Sequence, residues 1–177
     1  IKKETSVKSW KDIFLNSENN FENFDYNFEN ELMFKSKRLS RNKINNYILY
    51  DQGNVIFTDK TGKIITYSIR KKKITNIFNF YRKKYKGVIK NLNIILEDNI
   101  IYVSDNIGYL YAFDYKMQKV LWAKNTKVPF RSNLKIYDDK LIAANQNNNL
   151  FFFKKDTGDI VKLIPTEETL VNNQFVN

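Results

Sequence analysis

Five aspartates and two basic runs are the residues of this 177-residue sequence whose types could do chemistry. Asp98, Asp105, Asp114, Asp138 and Asp139 could hold a hard cation or move a proton. Each lies in a stretch that reads as a strand end or a turn, where an aspartate ordinarily bonds its own backbone. The sequence has no Cys and no His. That excludes thiol nucleophiles, imidazole bases, disulfides and Cys/His zinc sites, and it leaves the redox compartment open. There is no glycine-rich phosphate loop and no nucleophile set beside a base. The expectation is a protein without catalytic residues, cofactor or metal.

The basic runs are Arg70-Lys71-Lys72-Lys73 and Arg82-Lys83-Lys84-Tyr85-Lys86, with Phe78, Phe80, Tyr81 and Tyr85 between or among them. Thirty Lys and Arg against nineteen Asp and Glu leave a net charge of +11. Heavy use of Lys, Asn and Ile with few Gly and Pro is also what AT-rich coding produces, so part of the excess is compositional. Three uses remain open for the runs. They are solvated loop charge, a surface for an acidic protein or an anionic membrane, and, ranked last, a single-stranded nucleic-acid site built on the interleaved aromatics.

These residues must be positioned by strands. No apolar run approaches the roughly 18 residues of a membrane-spanning helix, and the length suits one domain. Residues 1–31 are Asn-, Glu- and Phe-rich without sustained alternation. They read as an N-terminal extension, either extended and partly irregular or with one short helix starting at Ser9, ahead of Lys11-Asp12 and Ile13-Phe14-Leu15. From Leu32 onward apolar residues alternate with period two in short runs separated by Asp59-Lys-Thr-Gly62, Asp105-Asn-Ile-Gly108, Asn147-Asn-Asn149 and Asp156-Thr-Gly158. The chain is expected to be all-β.

The runs also repeat. Gly108 follows Gly62 by 46 residues, and a further shift of 40 places Asn148 under Gly108 and Gly158 under Gln118. Each unit holds about four strands. Four-stranded units at this spacing are the signature of β-propeller blades, with a plain meander or sandwich as the alternative. The expected blades are 47–80, 90–125 and 132–165 within a partial propeller spanning 32–177. In the second unit Ile101 and Val103 alternate with Tyr102 and Ser104, and Leu110 and Ala112 with Tyr111 and Phe113. Both faces therefore carry apolar groups, as a sheet packed between two neighbours requires. The small Ala112 lets a neighbour approach closely, and Trp122 caps the edge between units.

The best-kept unit, Gly108-Tyr-Leu-Tyr-Ala-Phe-Asp114 with Lys119-Val-Leu-Trp122, resembles the repeat of PQQ-like propellers, G-x-L-x-A-L-D-x-x-T-G-x-x-x-W. The third unit keeps Leu150, Asp156-Thr157-Gly158 and Ile160 but has Lys162 in the Trp place, and the first keeps Gly62. Between units, Val128-Pro129-Phe130-Arg131-Ser132 is similar to a blade-connecting stretch of the outer-membrane assembly lipoprotein family BamB. That resemblance implies an eight-bladed propeller, of which three to four blades are present, and a scaffold that binds no quinone. It implies a place on the periplasmic side of the bacterial outer membrane, lipid-anchored at full length, supporting assembly of outer-membrane β-barrels. The implied partner is the POTRA domains of a BamA-like protein, touched through inter-blade loops, with Pro129, Phe130 and Arg131 in the contact. The plainer readings are a solvated Arg131 and a core anchor at Phe130. PQQ-dependent dehydrogenases share the repeat, so a fragment of a quinoprotein oxidoreductase stands as the alternative. Eight blades need more residues than this chain has. The expectation is a fragment, or a chain that closes by self-association, with Leu32–Lys37 and Asn173–Val176 as loose strands. An open propeller exposes strand edges.

Overall fold

A computed structural model describes residues 9–15, 32 and 34–166. Among them are thirteen strands and no helix. The first sheet consists of β1 (Ser9–Trp10), β2 (Ile44–Asp51), β3 (Asn54–Asp59), β4 (Lys63–Ser68) and β5 (Lys73–Asn79) in that order. The second is β6 (Leu92–Glu97), β7 (Ile100–Asp105), β8 (Tyr109–Asp114) and β9 (Lys119–Asn125). The third is β10 (Lys135–Tyr137), β11 (Lys140–Ala144), β12 (Asn149–Lys154) and β13 (Ile160–Pro165). All pairings are antiparallel meanders.

Local chemistry sets the meander. The first hairpins turn on two residues in the left-handed region, Gln52-Gly53 (φ 46° and 76°) and Asp98-Asn99 (φ 47° and 69°). That geometry matches the twist of the flanking strands. A β-bulge recurs between the last two strands of each sheet, at Thr66/Tyr67, Ala112/Phe113 and Phe152/Phe153. These positions repeat the 46- and 40-residue offsets of the sequence.

Period-two alternation decides the packing. Ile94, Leu96, Ile101, Val103, Tyr111 and Phe113 face the first sheet and pack with Leu49, Ile56, Ile64 and Tyr81. Their neighbours along the same strands, Ile95, Tyr102, Leu110 and Ala112, face the third sheet and pack with Leu141, Ala143, Phe151 and Phe153. The second sheet is thus buried on both faces. In the first seam Phe78 stacks on Phe113 at 4.0 Å and Phe80 on Tyr111 at 4.4 Å. Trp122 spans the second seam, its Nε1 donating to the Lys155 carbonyl at 2.9 Å. Ala112, fully buried beside it, lets the sheets close up.

The edge strands β2, β6 and β10 converge on one short segment. Ser9–Trp10 pairs with β2, the Lys11 carbonyl accepts from Leu96 N at 2.9 Å, and Asp12 meets Lys135 Nζ at 2.6 Å. This corrects the short helix expected at Ser9. The segment is a two-residue strand and a turn closed by Leu15 N on the Asp12 carbonyl at 3.2 Å. Unpaired edge strands offer it more hydrogen bonds than one isolated helical turn. A second correction concerns Leu32–Lys37. Phe34–Lys37 join no strand, and the Phe34 ring instead stacks on Tyr67 at 5.8 Å, over the free face of the first sheet. Residues 1–8 and 16–31 of the expected extension and the expected strand at Asn173–Val176 lie outside the described residues.

Asp12 ties the segment to the third sheet from a site 3% exposed. Asp12→Ala strands Lys135 without its partner and is expected to cost about 1–3 kcal/mol, read as a lower urea midpoint at unchanged m-value.

Candidate functional site

Among the described residues the buried carboxylates are Asp12, Asp51, Asp59 and Asp105. Two of them build the same turn. Asp59 Oδ1 accepts from Thr61 N (2.9 Å), Thr61 Oγ1 (2.6 Å) and Lys63 N (3.2 Å). Asp105 Oδ1 accepts from Ile107, Gly108 and Tyr109 N, each at 2.8 Å, while the Tyr81 hydroxyl donates to Oδ2. Asn145 plays the part in the third sheet, accepting from Asn147 N (3.0 Å) and Asn149 N (3.1 Å). The fourth turn residue is left-handed in all three, at Gly62 (φ 87°), Gly108 (φ 101°) and Asn148 (φ 56°). At Gly108 a Cβ would also lie 2.9 Å from Val128 N. From the sequence Asp59 is marked only as the first residue of a turn and Asn145 not at all, although the two sit at the 46- and 40-residue offsets from Asp105.

The electrostatics of the two aspartates differ. Burial pushes the Asp59 carboxyl up, but the bonds from Thr61, Lys63 and Asn42 outweigh it and the net shift is downward. Burial of Asp105 is deeper and wins over its bonds from Tyr81 and the backbone, so its carboxyl is held above the ordinary range. Burial also raises the Tyr81 hydroxyl far beyond titration.

The other sequence candidates are turn residues. Asp114 Oδ1 accepts from Lys116 N (2.9 Å) and Met117 N (2.8 Å). Asp98 and Asp138 hold left-handed turn positions (φ 47° and 52°), and Asp139 pairs with its neighbour Lys140 at the surface. Among the described residues no three acidic side chains converge on a point.

The basic runs do not form one patch. Arg70, Lys71, Lys72 and Lys73 are exposed at the β4–β5 turn. Arg82, Lys83, Lys84 and Lys86 are exposed in the β5–β6 connection, at the opposite end of seven-residue β5, about 20 Å away. Phe78, Phe80 and Tyr81 are turned into the first seam and offer no ring to a base. Tyr85 remains near the surface, with Lys84 Nζ 5.1 Å from its ring centre.

The loop between the second and third sheets is ordered by its middle residue. Phe130 is 4% exposed, packs edge-on against Phe153 at 6.3 Å, and donates its N–H to the Asp105 carbonyl at 3.0 Å. It is the core anchor, and its ring is withdrawn from any partner. Pro129 is half-buried, its carbonyl accepting from Gln146 N at 2.9 Å, and Arg131 is exposed.

No protein-family model and no curated protein matches the sequence. Solved structures do. BamB from Moraxella catarrhalis is similar over 76% of this chain and 38% of its own, with a TM-score of 0.57 at 17% identity. Quinohemoprotein alcohol dehydrogenase from Comamonas testosteroni is similar over 90% of this chain and 27% of its own, at TM-score 0.66 and 12% identity. The RRP9 WD40 repeats match over 66% of this chain and 36% of their own, at 0.55 and 9%. WD40 repeats are four-stranded propeller blades. The chain is a partial β-propeller. It spans well under half the length of each of these neighbours. Its three sheets are consecutive blades, the first carrying β1 as a fifth strand; β2, β6 and β10 are the inner strands of the four-stranded units, and segment 9–15 crosses the inner edges.

Proposed function

We propose that these blades belong to a non-catalytic protein-interaction scaffold of the BamB type, on the periplasmic side of an outer membrane. One observation carries this reading. Among the described residues each buried carboxylate is spent on the fold: Asp59 and Asp105 on turns, Asp12 on Lys135, and Asp51 on Tyr115 Oη (3.5 Å) and Lys11 Nζ (3.8 Å). A quinone-and-calcium site needs acidic ligands on the propeller axis, and the inner-edge carboxylates Asp12 and Asp51 are already engaged there. The groups left free for a partner are in the connections. The loop 128–132 is the best prepared of them, pinned by Phe130 and presenting Arg131. The partner is the POTRA domains of a barrel-assembly protein. The exposed basic runs suit an anionic membrane nearby.

The test is binding of the natural-length protein to immobilised POTRA domains from the same organism. Wild type should bind, and Arg131→Ala should weaken binding about tenfold, as expected for an interfacial arginine. Failure of the wild type to bind removes the reading.

A further inference from the structure

The two seams between blades are built from the same positions, and they differ at the place where the second seam holds a tryptophan and the first an asparagine. In the seam between the second and third blades Trp122 lies against Gly158, where an added Cβ would sit 2.4 Å from the indole. Ile100, Ala112 and Trp122 belong to one apolar cluster there. The residues 46 positions earlier are Asn54, Thr66 and Asn76. Asn76 keeps the tryptophan's hydrogen bond in weakened form, Nδ2 to the Tyr115 carbonyl at 3.5 Å against 2.9 Å for Trp122 on Lys155. It does not fill the tryptophan's space. What remains is a cavity of about 460 Å³ lined by both blades.

Two features of this cavity point to an anion. Arg70, Lys71 and Lys116 line it, and no carboxylate does. None of the three joins an ion pair among the described residues, and Lys116 Nζ rests on the neutral amide of Gln52 at 3.0 Å. Three cations gathered around one opening repel each other until a counter-charge enters. Separately, the Thr66 side chain lines the cavity at 2% exposure, and its hydroxyl has no hydrogen-bond partner among the described residues. A buried orphan hydroxyl is costly unless a bound molecule or water satisfies it. The volume falls within the range of small-molecule sites.

We infer that the seam between the first and second blades is a binding site for a small polyol phosphate, its phosphate held by Arg70, Lys71 and Lys116 and its hydroxyl groups by Asn54, Thr66 and Asn76. The arginine fork suits a phosphate in two-point contact, and the amides and hydroxyls suit an alcohol chain. The site is independent of the loop 128–132.

Isothermal titration at low ionic strength tests it, with glucose 6-phosphate as the probe and glucose as the neutral control. Glucose 6-phosphate should bind saturably and glucose should not. Asn76→Trp, which refills the cavity as Trp122 fills its own seam, should abolish binding while the protein stays folded by circular dichroism. The exposed double substitution Arg70→Gln/Lys71→Gln should weaken binding at least about tenfold, and it decides the matter if Asn76→Trp does not fold. No binding up to about 10 mM overturns the inference. So does equal binding of glucose, or binding that a folded Asn76→Trp or the double substitution leaves unchanged.

Discussion

Asp105→Ala is expected to destabilise the protein by about 3–5 kcal/mol, and Asp105→Asn by only about 1 kcal/mol. Alanine leaves three N–H groups, that of Gly108 buried and those of Ile107 and Tyr109 half-buried, and the buried Tyr81 hydroxyl without their acceptor. Asparagine keeps an acceptor oxygen on the same stem. The protein already contains that answer, because Asn145 holds the equivalent turn of the third blade through Asn147 and Asn149. Urea unfolding of the two variants gives the contrast, and equal losses would mean that the turn does not depend on the acceptor. The pH dependence adds a sign. Burial holds the folded carboxyl above its ordinary value, near 4 in an unfolded chain. As pH rises past 4 the unfolded state releases its proton first, so the folded state binds more protons there and stability falls. Wild type should therefore lose stability relative to Asp105→Asn as pH rises through the folded value, and regain it on acidification.

Trp122→Ala should cost about 3 kcal/mol, because the indole is the main filling of the seam between the second and third blades. It leaves a cavity over Gly158 and an unpaired Lys155 carbonyl. Trp122→Phe should recover most of the packing and lose the hydrogen bond, at about 1 kcal/mol. Thermal unfolding of the pair separates the two contributions. A loss under 1 kcal/mol for alanine would mean that the seam is held elsewhere. The natural candidate would be the contact of Lys155 with Glu97, which stands in the first seam's Tyr115–Asp51 place.

Much of this fold is legible in the residues because the same positions recur. The alternation of Ile101, Val103, Tyr111 and Phe113 with Tyr102, Leu110 and Ala112 announces a sheet with two dry faces, and the seams contain those two sets. The bulges and left-handed turns fall on the offsets that Gly62, Gly108 and Asn148 define. What escaped were residues whose conformation is set by a distant partner. Ser9 and Trp10 carry a weak local preference, and the free edge of β2 decides it. Phe34 alternates like a strand residue, yet its ring on Tyr67 outweighs any backbone pairing. The candidate sites were legible in part. The two basic runs read as an exposed turn and an exposed connection on either side of one strand, and that strand, β5, sets them at opposite ends of the blade. Asn76 and Thr66 look like ordinary strand polars until they are set beside Trp122 and Ala112.

The account holds that the propeller acts through its connections and that its buried carboxylates serve the fold. Thermal unfolding of the natural-length protein in saturating PQQ and calcium tests this most directly. The account predicts a melting temperature unchanged from the protein alone. A saturable upward shift would contradict it, because a cofactor that binds the folded state must raise the melting temperature.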